Sequence, residues 1–82
     1  MIPVLMDARY PGSSGWSAVR SARKIKVRGL EDGELIIYFH GGDVGHIDVC
    51  EDMEMDLPPG TDRVRVELVG ARNGSRVFVD ME

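Results

Sequence analysis

The sequence predicts an all-β fold, a single small sandwich of two antiparallel sheets. Three observations carry this: apolar and polar residues alternate in nearly every run after Ala22, no run repeats at the helical period, and Gly, Pro, Asp and Asn break the chain at short intervals. An 82-residue chain is one domain, and a domain of this size buries only about 60 to 65% of the surface its unfolded chain exposes. Hydrophobic residues at 43% and charged residues at 29% supply a core and make the chain too apolar to stay disordered.

Taken in order, the chain begins with an apolar strand near Ile2 to Met6, followed by the flexible stretch Tyr10-Pro11-Gly12-Ser13-Ser14-Gly15. Residues 1–22 are therefore expected to form an N-terminal strand or arm and a connection, pinned by Tyr10 and Trp16, ahead of a sandwich body over 23–82. Lys24-Ile25-Lys26-Val27-Arg28 turns Ile25 and Val27 to one face and three cations to the other, the pattern of a half-buried antiparallel strand. A three-residue loop at Glu31-Asp32-Gly33, with Gly33 left-handed, would pair Val27 with Ile37 and Ile25 with Phe39. Gly41-Gly42-Asp43-Val44-Gly45 reads as a five-residue hairpin connection. From His46 to Leu57 the odd positions are apolar except Glu51, so Glu51-Asp52 marks a bend where one long strand passes between sheets. Pro58-Pro59-Gly60 makes a rigid turn. Arg63 to Leu68 repeats the alternation with Val64, Val66 and Leu68 inward. Asn73-Gly74 reads as a type I′ hairpin turn pairing Leu68 with Val79, Val66 with Met81 and Gly70 with Val77. The total is about seven strands.

Composition narrows function. A net charge of −4 opposes an overall electrostatic grip on nucleic acid or anionic lipid, so neither nucleic acid nor membrane is an expected partner. Cys50 is the single cysteine, which excludes an intramolecular disulfide and a cysteine zinc cage. The apolar start lacks a basic leader, and no run reaches the roughly 18 residues of a membrane span; synthesis in the cytoplasm is expected. Asn73-Gly74-Ser75 matches a glycosylation acceptor but reads first as a turn.

No set of side chains demands chemistry. The glycine-rich run 41–45 lacks the Lys-Ser/Thr ending and helix of a phosphate loop. His40, His46 and Asp43 flank that loop as weak metal candidates. Asp48, Asp52, Glu54 and Asp56 fall on one outward face, where cross-strand pairing with the basic strands is favoured over calcium binding. Cys50 has no partner base. No catalytic, cofactor or metal residue is assigned, and no enzyme is expected. More informative are apolar residues on solvent faces: Val69 beside Phe78 outside the last hairpin, Ile36 and Tyr38 on another strand. With Ile2, Val4, Leu5, Tyr10 and Trp16 from the N-terminal segment, they form the candidate protein interface.

The runs Ala22 to Leu30, Asp32-Gly33-Glu34-Leu35 and Leu57 to Val66, with a final short valine strand, resemble small β-sandwich accessory virion proteins of tailed bacteriophages, a likeness of turn and strand grammar over residues 22–82. The resemblance implies an Ig-like or jelly-roll-like sandwich and a structural virion protein, of the capsid decoration or cement type or another accessory subunit. Such a protein would sit on the virion in multiple copies, or as a homo-oligomer, and bind capsid or other virion subunits. Two alternatives stand beside it: a small phage-encoded module that inhibits a host protein, and a glycan- or ion-binding sandwich using Trp16 and Tyr38 or the acidic stripe.

Overall fold

The computed structural model describes residues 4–8, 12–13, 15–31, 33–70 and 77–82. All regular structure among them is β: β1 (Val4–Ala8), β2 (Gly12–Ser13), β3 (Ser17–Ala18), β4 (Lys24–Arg28), β5 (Glu34–His40), β6 (His46–Val49), β7 (Met53–Asp56), β8 (Arg63–Val69) and β9 (Val77–Met81). Seven of these run four residues or more, matching the expected number. Residues 1–22 supply strands to both sheets, with β1 along β9 and the two short pieces β2 and β3 along β8.

The first sheet has the order β1-β9-β4-β7. The second has the order β2-β8-β5-β6, with β3 also on β8. Pairing is nested: β1 meets β9, β2 and β3 meet β8, β4 meets β7, and β5 meets β6. This is a hairpin folded double and rolled up, the jelly-roll arrangement rather than the immunoglobulin one. Among the described strands, the local hairpin is β5–β6, where Phe39 N–H donates to the Gly45 carbonyl at 2.9 Å. The five-residue loop read from the sequence is there.

Nesting corrects two expected hairpins. Strands β4 and β5 lie in different sheets, so Ile25 pairs with Met55 and Met81 and not with Phe39, while Ile37 pairs with Ile47 and Val66 and not with Val27. Gly33 is left-handed as expected (φ 84°), but Gly29 is too (φ 81°), and Leu30 between them turns inward. With its N–H held by Asp52 Oδ1 at 2.8 Å, this stretch plugs the gap between sheets as a crossover. Likewise β8 and β9 lie in different sheets. Leu68 pairs with Leu35, and Val79 with Val27 and Met6. The Asn73-Gly74 turn itself lies outside the described residues. The alternation places each side chain on the inner face either way, because facing strands of a sandwich and paired strands of a hairpin bury the same positions. It does not name the partner.

The expected bend holds. Ile47 and Val49 end β6 in the second sheet, Cys50 to Asp52 turn, and Met53 and Met55 open β7 in the first. Inward rows run Met81–Ile25–Met55 and Val79–Val27–Met53 on one sheet, and Leu68–Leu35–Val49 and Val66–Ile37–Ile47 on the other. Val19, Leu30, Phe39, Val64 and Val77 complete the buried core.

One close approach fixes the end of the sandwich where the hairpin loop meets the proline turn. Thr61 N–H donates to the Pro58 carbonyl at 3.2 Å with Gly60 at φ 84°, the geometry of a type II turn. Added Cβ atoms would stand 2.7 Å from the Gly60 carbonyl at Gly41 and 2.6 Å from the Pro59 carbonyl at Gly42. Only glycine lets these backbones stack.

Two outcomes follow. Val66 is fully buried, so Val66→Asp should abolish the folded state, several kcal/mol of desolvation acting against a stability of about 5 kcal/mol. The conservative Ile37→Val should cost about 0.5–1.5 kcal/mol. Circular dichroism and urea titration read both. Gly41, at φ 97°, should lose about 1–3 kcal/mol on replacement by Ala. Gly45, with nothing within 4 Å of an added Cβ, should change by no more than about 0.5 kcal/mol, and equal denaturation midpoints for the two variants would refute the clamp.

Candidate functional site

Among the described residues the side chains that pack between the sheets are apolar, and the buried Asp80 is engaged by Arg28. The chemistry lies outside, on the outer face of the second sheet. Register brings Arg65 of β8, Tyr38 of β5 and His46 of β6 into one row. Ser17 pairs with Val64, so Trp16 comes abreast of Arg65. Arg65 is the centre of the row: its guanidinium carbon stands 4.1 Å from the Tyr38 ring centroid and 5.5 Å from that of Trp16. Both contacts are cation–π geometry, which holds the fork in place. Tyr38 in turn lies against His46, their centroids 5.8 Å apart.

The next row carries Arg63 and His40. The His40 ring meets the Trp16 ring nearly edge-on at 5.8 Å. Its Nδ1 lies 2.7 Å from Asp62 Oδ1. Backbone bonds join the three strands here: Asp62 N–H donates to the His40 carbonyl and Val19 N–H to the Asp62 carbonyl, each at 2.9 Å. The His40 hydrogen bond, with the nearby positive charge of His40 and Arg63, holds the Asp62 carboxyl below its ordinary value. Ionised, that carboxylate accepts, so Nδ1 carries the donated proton. The hydroxyl of Thr61, beside the stacked glycines, is buried with no hydrogen-bond partner.

In the other direction along the same face lie Ile36 with Glu67 and Asp48, then Glu34 with Val69. Trp16 at 47% and Val69 at 43% are among the large exposed hydrophobics. Of the interface residues expected from sequence, Trp16, Tyr38, Ile36 and Val69 therefore share one surface. Phe78 does not: it sits on the outer face of the first sheet, opposite Arg28 and Asp7. Its pairing with Val69 is corrected for the same reason as the last hairpin. Val4 and Leu5 lie in β1, opposite Met81 and Asp80. Ile2 and Tyr10 fall outside the described residues.

The acidic stripe is divided. Glu54 and Asp56 stand opposite Lys26 and Lys24 in the register, whereas Asp48 is on the other sheet and Asp52 caps Leu30. Arg28 pairs with the buried Asp80 on that first sheet. Among the described residues no three His, Cys, Asp or Glu gather to hold a metal. Sequence reasoning missed Arg65 and Asp62. Arg65 was read as one more outward cation, and its place between two aromatics follows only from the pairing of β8 with β3 and β5.

The hydrogen bond from His40 ties the titration of Asp62 to the folded state. The folded-state value of Asp62 is depressed, so its contribution is full above the ordinary 3.8 and is lost as pH falls through the lowered value. Asp62→Asn should therefore flatten the acid limb of the stability–pH curve and leave its slope near neutral pH unchanged, as urea midpoints across acid pH will show.

No family model matches the sequence, and no curated protein does. Two solved structures share the architecture. Protein NMB1881 from Neisseria meningitidis superposes with a TM-score of 0.55 at 20% identity, over 98% of this chain and 74% of that one. A cupin domain from Bordetella pertussis gives 0.52 at 18% identity, over 98% and 79%. At these identities the likeness is one of fold, and it agrees with the strand pairing: the chain is a small jelly-roll sandwich.

Proposed function

We propose that this protein is a non-catalytic binding subunit that attaches to a larger protein assembly through the outer face of its second sheet. The observation that supports this is the row Trp16–Arg65–Tyr38–His46. Tryptophan, tyrosine and arginine are the residue types that dominate interface energetics. Here they are stacked on one another, so the rotamer freedom lost on binding has already been lost on folding. Ile36 and Val69 extend the patch, with Glu67 between Arg65 and Val69 along β8, Asp48 opposite Ile36 and Glu34 opposite Val69. Together with the resemblance of residues 22–82 to accessory virion proteins, the reading is a capsid decoration or cement subunit, present on a particle in many copies.

The test is stoichiometry. Quantitative mass spectrometry of purified phage particles should find the chain at high copy number, and its absence from particles would sink the virion reading. On the face itself, Ile36→Ser with Tyr38→Ser should leave a cooperative melt and reduce the copies retained per particle. Unchanged retention would move the attachment surface elsewhere.

A further inference from the structure

At the corner where the second sheet meets the two clamped loops, the aromatic row is joined by a polar pair, His40 and Asp62. Trp16 is half exposed and presents an apolar aromatic surface. Its edge is met by His40 at 5.8 Å, and His40 orients Asp62 at 2.7 Å. Both polar side chains remain more than half exposed, at 54% and 58%, so each keeps hydrogen-bonding capacity facing solvent. Arg65 lies against the Trp16 ring, and Arg63 follows Asp62 in the chain. Thus a flat aromatic surface stands beside an oriented carboxylate, an imidazole and guanidinium donors. Such a set complements a ligand with one apolar face and a polar perimeter. A sugar ring has that form: its C–H face packs on an aromatic ring while its edge hydroxyls donate to a carboxylate.

The corner is also rigid. The backbones carrying His40 and Asp62 are joined by the bond from Asp62 N–H to the His40 carbonyl. The loops beyond them are stacked so closely that a methyl group at Gly41 or Gly42 would overlap a carbonyl. A site on stacked backbone loses little freedom when it binds.

We infer that Trp16, His40 and Asp62 form a carbohydrate-binding site, taking a pyranose ring on the exposed Trp16 surface with adjacent hydroxyls on Asp62 and His40. The inference stands on these side chains and does not depend on the identity of the protein partner. Asp62, ionised at neutral pH, is the acceptor; His40 fixes its orientation and offers its second ring nitrogen to the ligand.

Trp16 is the sole tryptophan, so its emission reports on this site alone. The full chain is screened on a glycan array and titrated with methyl glucopyranoside, galactopyranoside and mannopyranoside while Trp16 fluorescence is followed. Saturable change with at least one sugar is expected, with array binding lost in Trp16→Ala and kept in the conservative Trp16→Tyr. Asp62→Asn should weaken binding about tenfold or more, as removal of a charged hydrogen-bond acceptor does. Melting curves confirm that each variant is folded. The inference is overturned if no sugar or array glycan binds above the Trp16→Ala background. It is equally overturned if binding is confined to sulfated glycans, disappears in high salt and ignores Trp16→Ala, which is charge attraction alone. A chain absent from particles that still binds sugar keeps this inference and loses only the virion reading. One that coats particles and binds no sugar does the reverse.

Discussion

The shared apolar interior is the constraint on which the molecule depends, because the chain returns to the opposite sheet at almost every connection. Among the described strands, only the β5–β6 hairpin brings sequence neighbours together as paired strands. The first sheet is assembled from β1, β9, β4 and β7, none adjacent in the chain to the strand it pairs with. Among the described strands the first sheet has no local pairing and the second has the β5–β6 hairpin alone, and each is held in register by rows of Ile, Val, Leu and Met pressed against the rows opposite. Loop-closure entropy comes due before those rows reward it, so folding is expected to be slow for the chain's size.

The same constraint explains what the sequence disclosed and what it withheld. Face assignment was legible almost throughout: Ile25, Val27, Val64, Val66 and Leu68 are buried where the alternation put them, and the bend at Glu51-Asp52 separates two strands on two sheets. Partner assignment was not. The Gly33 loop and the Asn73-Gly74 signal fit hairpins by local rules, and a jelly roll satisfies the same inward faces with pairings across the whole chain. Gly29 was the overlooked sign, since a second left-handed glycine four residues before Gly33 makes a crossover wide enough for Leu30 to turn in.

The site was half legible for a related reason. Outward apolar residues stand out against alternation, and that is how Trp16, Tyr38, Ile36 and Val69 were found. A charged residue on a solvent face looks ordinary, so Arg65 and Asp62 gained meaning only when β3, β5 and β8 were seen side by side. Their importance comes from neighbours contributed by residues 16, 38 and 40, separated from them by 22 to about 50 positions and joined by the clamp of Gly41 and Gly42 on Pro59 and Gly60.

The break between β6 and β7 has a wider consequence. Each of these strands forms the outer margin of its sheet, and His46 to Asp56 would otherwise be one long ribbon of alternating Ile, Val and Met with open backbone along its side. Division at Cys50 to Asp52 leaves two margins of four residues, facing different ways and carrying Asp48, Glu54 and Asp56. Short acidic margins are poor templates for strand addition from another chain. The bend thus limits edge-to-edge strand addition within the same eleven residues that close the core.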